Sequence, residues 1–206
     1  MSSYHHGNLR SSLIESGVDL ARSDGPDGVV LREVARRSGV SHNAAYRHFA
    51  DRAALLAEVA AVGMERLGEA MRSEMATVAD RDPVARAVAV LRATGRAYVR
   101  FALAEPGLFA VAFAAPVLPD EADPATPPET PASSNHPYEL LGQALDQLTA
   151  SGGLRPERRE GAEVLCWSAV HGFAVLHLDG PLREVPAADR DVALESLLDQ
   201  VERGLV

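Results

Sequence analysis

Between residues 31 and 52 the chain concentrates side chains that hydrogen-bond to nucleic acid. They are Arg32, Arg36, Arg37, Ser41, His42, Asn43, Tyr46, Arg47, His48 and Arg52, with the small Ala44 among them. Guanidinium and imidazole groups pair with phosphate oxygens, and an Asn amide can bond adenine through two hydrogen bonds. An alanine methyl can meet a thymine methyl. Ser41 and the amides that follow it are candidates for holding a phosphate. His42, Asn43 and Ala44 are the candidates for base edges, and Tyr46, His48 and Arg52 for flanking phosphates. Arg32, Arg36, Arg37 and Arg47 complete the DNA-facing set.

Such groups act together only if a scaffold presents them. Residues 31–49, LREVARRSGVSHNAAYRHF, have the pattern of a helix-turn-helix. Two crossing helices need a small residue where they meet, a turn residue that tolerates positive φ, and inward apolar residues at fixed offsets. Ala35, Gly39 and the set Val34, Val40, Ala45 and Phe49 meet those needs in turn. The first helix is predicted over 31–38 and the second over 42–48, with Ser41 as its N-cap. A two-helix corner inside some other α-domain would show the same local pattern.

The elements around this motif read as helices throughout, so an all-α fold is predicted. A helix over 8–23 places Leu9, Leu13, Leu20 and Ala21 on one face, with Asn8 as N-cap and the SDGPDG cluster ending it. Asp51 is predicted to cap a long helix from 52 into the seventies, and Asp82-Pro83 to start another that runs to about 104. A short apolar helix follows at 108–115, then a loop at 116–137 dense in Pro, acid and Ser/Thr. Three helices, over 138–151, 156–178 and 187–204, close the chain. The resulting division is an N-terminal three-helix helix-turn-helix domain over 1–52, joined to a larger helical domain over 53–206.

Charge supports that division. The formal net charge is −9 over 206 residues, which opposes non-specific DNA binding. Residues 1–53 nonetheless hold seven Arg against six acids, a balance of +1, while the remainder holds thirteen against twenty-three, a balance of −10. Four of the seven histidines, His5, His6, His42 and His48, also fall in the first segment. There is no lysine, so every basic contact is made by Arg or His. The first residues lack the apolar run of a secretory signal, and no stretch is apolar for the length of a bilayer span, which predicts a cytoplasmic protein. The single cysteine, Cys166, cannot form an internal disulfide and reads as a buried small hydrophobe. His136, His171 and His177 lack ligand-pair spacing, so neither a metal nor a cofactor is predicted.

Taken with its neighbours, the segment Leu31 to Leu56 resembles the TetR-family DNA-binding domain. The matching features are Val34-Ala35, Gly39-Val40-Ser41, Tyr46 to Phe49, and Asp51-Arg52 followed by Leu55-Leu56. The basic residue after the Phe is usually Lys in that family, and here it is Arg52. Trp167, His171 and Gly172, with the opening YHHGNLR, resemble one subgroup of the family, the WHG type. The resemblance implies a ligand-responsive transcriptional repressor with a ligand-binding and dimerisation domain, paired through its last two helices. Operator DNA and a small-molecule inducer are then the partners. An activator or corepressor-dependent regulator would have the same sequence features.

Trp167 and His171, four apart, share a helical face. One reading makes them core, with His171 bonded to a carbonyl or carboxylate. The other makes them ligand-binding, together with Tyr98, Phe101, Phe109 and Phe113. No nucleotide-loop, metalloprotease or nucleophile-elbow motif is present, which argues against an enzyme.

Overall fold

The computed structural model describes residues 6–114 and 136–205, with side chains from residue 9 onward. Among these residues the secondary structure is helical, without strands. Two compact units form, one from residues 6–64 with 105–114, the other from 65–104 with 136–205.

The first unit begins with α1, His6–Gly28, two residues ahead of the expected cap at Asn8. The turn cluster interrupts it as expected, at Gly25, whose φ of 67° and ψ of −164° are incompatible with a helix. One more helical turn then runs from Pro26 to Gly28. Helices α2, Leu31–Arg37, and α3, His42–Tyr46, follow. Helix α4, Arg52–Ala76, starts where Asp51 accepts the Ala54 amide at 2.8 Å, as the predicted cap requires. Its residues to 64 belong to the first unit. Helix α5, Pro83–Ala104, lies in the second unit, and α6, Pro106–Ala114, returns to the first.

Close helix packing holds the first unit together. Leu13, Val18, Leu20 and Ala21 of α1 are buried with Leu55 and Val59 of α4 and with Leu108, Phe109, Val111 and Ala112 of α6. A Cβ on Gly17 would stand 2.8 Å from Val59 Cγ2, so α1 and α4 touch where the glycine lacks a side chain. A Cβ on Gly107 would strike the Ala21 carbonyl oxygen itself. Beside that point Arg22 clamps Glu105 through two hydrogen bonds, at 2.8 and 2.7 Å.

The second unit is built on α5, packed against α7, Pro137–Ala150, α8, Ala162–Leu178, and α9, Ala187–Leu205. Asp82 caps α5 through the Ala85 amide at 2.8 Å, and Pro83 occupies the first helical position, as predicted. Helix α8 starts at Ala162 rather than 156. Pro156–Arg158 form a 3-10 turn, and Gly161 at φ 77° ends the irregular stretch in the left-handed region. The predicted loop at 116–137 lies outside the described residues except for His136 and Pro137, which begin α7.

The core of this unit joins Leu91, Leu141, Leu145, Leu148, Leu154, Cys166 and Leu205. Burial pushes the Cys166 thiol up to about 11, as expected of a small packed hydrophobe. At Gly95 a Cβ would come within 2.7 Å of Leu198 Cδ2 and 3.3 Å of Val170 Cγ1, so α8 and α9 close over α5 at a bare position. An ionic seam borders this crossing. Arg96 makes bonds of 2.7 and 3.0 Å to Glu195, and Arg92 reaches Glu195 and Glu202 at 3.1 and 2.9 Å. No single described helix is long and apolar enough to cross a membrane.

Gly107→Ala drives a methyl into backbone rather than into a movable side chain, and should destabilise the protein by about 2–3 kcal/mol. Chemical denaturation would register it as a lower midpoint at an unchanged slope. A second expectation concerns the ionic seam. The bonds from Arg96, then those from Arg92, hold the Glu195 carboxyl down to about 2. Its folded value lies below the ordinary carboxylate value, so ionised Glu195 adds stability above about pH 4.3, and that stability is lost as pH falls toward 2. Melting curves of the chain and of Glu195→Gln should therefore differ near neutral pH and converge at about pH 2.

Candidate nucleic-acid interface

The turn between α2 and α3 is built from backbone chemistry. The Val40 amide bonds the Ala35 carbonyl at 3.0 Å and the Gly39 amide bonds the Arg36 carbonyl at 3.2 Å. This pair of bonds is a Schellman ending, which requires the left-handed conformation that Gly39 adopts at φ 69°. The chain then re-enters a helix through Ser41, whose hydroxyl accepts the Ala44 amide at 3.3 Å. Val34, Ala35, Ala45 and Phe49 are all buried, as the motif demands, and Val40 is half-buried. Helix α3 ends at Tyr46, two residues before its predicted end. The His48 and Phe49 amides both turn back to the Ala45 carbonyl, at 2.9 and 3.0 Å, which carries Phe49 into the core.

With the inward residues buried, the predicted DNA-facing ones lie outside. Arg32, Arg36, Arg37, Ser41, His42, Asn43, Tyr46, Arg47 and Arg52 are exposed, while Ala44 and His48 are half-buried. His42 and Tyr46, one turn apart, meet edge to face with ring centroids 4.6 Å apart. Among the described residues Arg32 and Arg47 have no ion pair.

Three of the arginines predicted to face DNA are engaged within the protein. Glu33 receives two bonds from Arg36, at 2.8 and 2.6 Å, and one from Arg37 at 3.2 Å. These bonds, Arg36's first, hold the Glu33 carboxyl down to about 2, so it is fully ionised at neutral pH. Arg52 donates to the Val29 and Pro26 carbonyls and thereby ties the start of α4 to the end of α1. Arg10 pairs with Glu58 at 2.7 Å and lies over the Phe49 ring, 5.3 Å from its centroid.

Sequence reasoning passed over Glu33 and Arg10. Glu33 stands three and four residues before Arg36 and Arg37, the helical spacing for ion pairs, so its signal was present. Arg10 meets its partners only through tertiary packing and left no local signal.

In the second unit Trp167, Tyr98 and His171 form one hydrogen-bonded chain. The indole Nε1–H donates to the Tyr98 hydroxyl at 3.1 Å, and that hydroxyl lies 2.8 Å from His171 Nδ1. Trp167 is a donor only, so the phenol oxygen accepts there and its own hydrogen can serve the imidazole. Burial lowers the His171 pKa and favours the neutral ring. The Tyr98 phenol is thus one partner of His171. Tyr138 packs edge-on to Trp167 at 5.8 Å between centroids. Phe101 is half-buried on α5 in this same unit. Phe109 and Phe113 belong to the first unit, where their ring centroids lie 4.8 Å apart.

A Schellman turn feeding a short capped helix, with polar groups outside and apolar groups inside, is the geometry of a helix-turn-helix. Comparison with known proteins agrees. Residues 13–59 match the model of bacterial regulatory proteins of the TetR family. Residues 91–201 match the tetracycline-repressor-like C-terminal domain. A protein of unknown function from Rhodococcus sp. RHA1 superposes with a TM-score of 0.78 at 30% identity, over 100% of this chain and 99% of that one. A TetR family transcription regulator from Marinobacter aquaeolei superposes at 0.61 with 19% identity, over 94% and 95% of the two chains. A TetR variant from Acinetobacter baumannii in complex with minocycline does so at 0.58 with 19% identity, over 94% of each. No curated protein matches the chain. The chain belongs to the TetR family of bacterial transcription regulators. Its function is DNA-binding transcriptional regulation rather than catalysis.

Glu33 occupies two of the arginines predicted to face DNA. Glu33→Gln should therefore strengthen binding to a random duplex and steepen the dependence of log K on log salt by about 0.9 for each additional phosphate neutralised. Fluorescence anisotropy across a salt series would measure both. Adding Arg36→Ala and Arg37→Ala to Glu33→Gln should abolish the tighter binding; if it persists, those arginines lie outside the DNA footprint.

Proposed function

We propose that this regulator is a homodimeric repressor that binds an operator through α2 and α3 and is released by a small-molecule inducer. The observation that carries the DNA-binding assignment of individual residues is the exposed surface of α3. Asn43 is exposed at the N-terminal end of the recognition segment, with Arg32 and Arg47 not engaged in ion pairs among the described residues. In this reading His42, Asn43 and Ala44 read base edges, while Arg32, Ser41, Tyr46 and Arg47 hold the backbone. Arg36 and Arg37 reach phosphate only by leaving Glu33. Arg52 acts indirectly, by fixing the α1–α4 junction.

Dimerisation through α8 and α9 is supported by apolar side chains left uncovered in the single chain. Val164, Leu165, Val175 and Leu176 recur at helical spacing along α8 and are 41–59% exposed. Val192 on α9 is 72% exposed. A Cβ built on Gly172, midway along α8, would meet nothing within 4 Å, so a second helix can approach closely there. Contiguous exposed apolar residues mark an interaction surface, and two-fold pairing brings two recognition segments to two half-sites.

The hydrogen-bonded chain of Trp167, Tyr98 and His171, with Tyr138 beside it and Phe101 on the same unit, supports an effector site. It offers aromatic walls with a few oriented polar groups, as small-molecule sites do. The minocycline complex of the Acinetobacter protein is consistent with a ligand held by this fold. If inducer weakens operator binding, operator must weaken inducer binding by the same factor.

A gel shift on the DNA upstream of this protein's own coding sequence, against an unrelated fragment, tests the reading. A discrete complex with the upstream fragment alone is expected, lost in Tyr46→Ala with Arg47→Ala. Leu165→Glu with Val175→Glu should leave a monomer in sedimentation and remove the discrete complex. A variant that remains dimeric would overturn the α8 assignment.

A further inference from the structure

The fold leaves the three residues assigned to base edges, His42, Asn43 and Ala44, in different states. Ala44 is half-buried and its side chain has no hydrogen-bonding group. The His42 ring leans along the helix onto Tyr46, with centroids 4.6 Å apart and ring planes at 70°. Asn43 is exposed, and among the described residues no group of the protein bonds its side-chain amide. The adjacent Ser41 hydroxyl is engaged by the Ala44 amide instead. Arg47, four residues after Asn43, keeps helical angles of φ −73° and ψ −19°, so the two side chains share a face. Arg47 is exposed and has no ion pair among the described residues. This face therefore offers a neutral amide with a cation one turn further on.

An amide selects its partner by the order of its groups. Its oxygen accepts and its nitrogen donates, side by side, so two bonds form only with an edge that sets a donor beside an acceptor. In the major groove that edge belongs to adenine, with its N6 amino group beside N7. Guanine offers two acceptors there, N7 and O6, and satisfies only the donor half of the amide. Cytosine offers a donor alone, and thymine an acceptor beside a methyl group.

We propose that Asn43 is a specificity-determining residue of this regulator, and that it selects an adenine in the major groove of each operator half-site. Arg47 holds the backbone beside that base. In a two-fold assembly the adenine recurs at symmetric positions of the operator. This inference rests on the operator-binding reading above and deepens it by naming the base.

Selection from a pool of random duplexes, followed by sequencing, tests it. The unsubstituted chain should enrich sites with a fixed A·T pair in each half. Asn43→Ala should lose the preference at that pair and keep its preferences elsewhere. Its affinity for unselected duplex should be unchanged, since the phosphate contacts remain, and this controls for folding. Exchanging the A·T pair for G·C should weaken the unsubstituted chain by about 5- to 150-fold and should leave Asn43→Ala nearly unaffected. An adenine analogue with carbon in place of N7 should likewise weaken only the unsubstituted chain. Equal sensitivity of both proteins to that analogue, or a selected site in which Asn43→Ala alters no adenine position, overturns the inference and leaves sequence-specific binding standing. If the unsubstituted chain enriches no sequence at all, the operator reading falls, and this inference falls with it.

Discussion

The packing of α1 depends on places where a side chain is missing. Gly17 lets α4 rest against it and Gly107 brings the first turn of α6 onto its backbone. Helices packed through larger side chains stand about 8–10 Å apart, and bare positions allow them closer. The consequence reaches the helix-turn-helix, because α1 packs against α2, which in turn packs against α3. The same device recurs in the second unit, where Gly95 admits Leu198 and Val170 and brings α8 and α9 together over α5. An exposed glycine at a turn sets only local backbone geometry, whereas these three set distances between helices.

Charge in this protein is handled by position rather than by amount. The chain is acidic overall, and many of its arginines are committed to carboxylates or carbonyls. On the surface of α2 and α3 that commitment becomes selective. Glu33 occupies Arg36 and Arg37, and Arg52 is occupied by the end of α1, which leaves Arg32 and Arg47 beside the polar face of α3. A modest cationic surface reduces sequence-independent attraction to nucleic acid.

Much of the architecture was legible from residue types and spacing. Caps announce themselves chemically: Asp51, Asp82 and Ser41 each accept the amide expected of an N-cap. Gly39 had to follow α2 because the Schellman ending needs a positive φ. Boundaries were less legible where backbone irregularity is short. The 3-10 turn at Pro156–Arg158 carries helix-compatible residues, so α8 was expected to start early. The extra turn from Pro26 to Gly28 was hidden in a cluster that reads as loop.

Local chemistry, then, was decided by sequence alone: the capping residues, the inward and outward faces of the helix-turn-helix, and the family to which they belong. These depend on interactions within about four residues, which spacing records directly. Tertiary structure decided which of the outward arginines are engaged, because Arg52 meets Pro26 and Val29 only after folding. It joined Tyr98 to Trp167 and His171 across 69 and 73 residues of chain, and assigned Phe109 and Phe113 to a different unit. Hydrogen-bond satisfaction depends on what burial brings within about 3 Å, and no linear pattern encodes that distance.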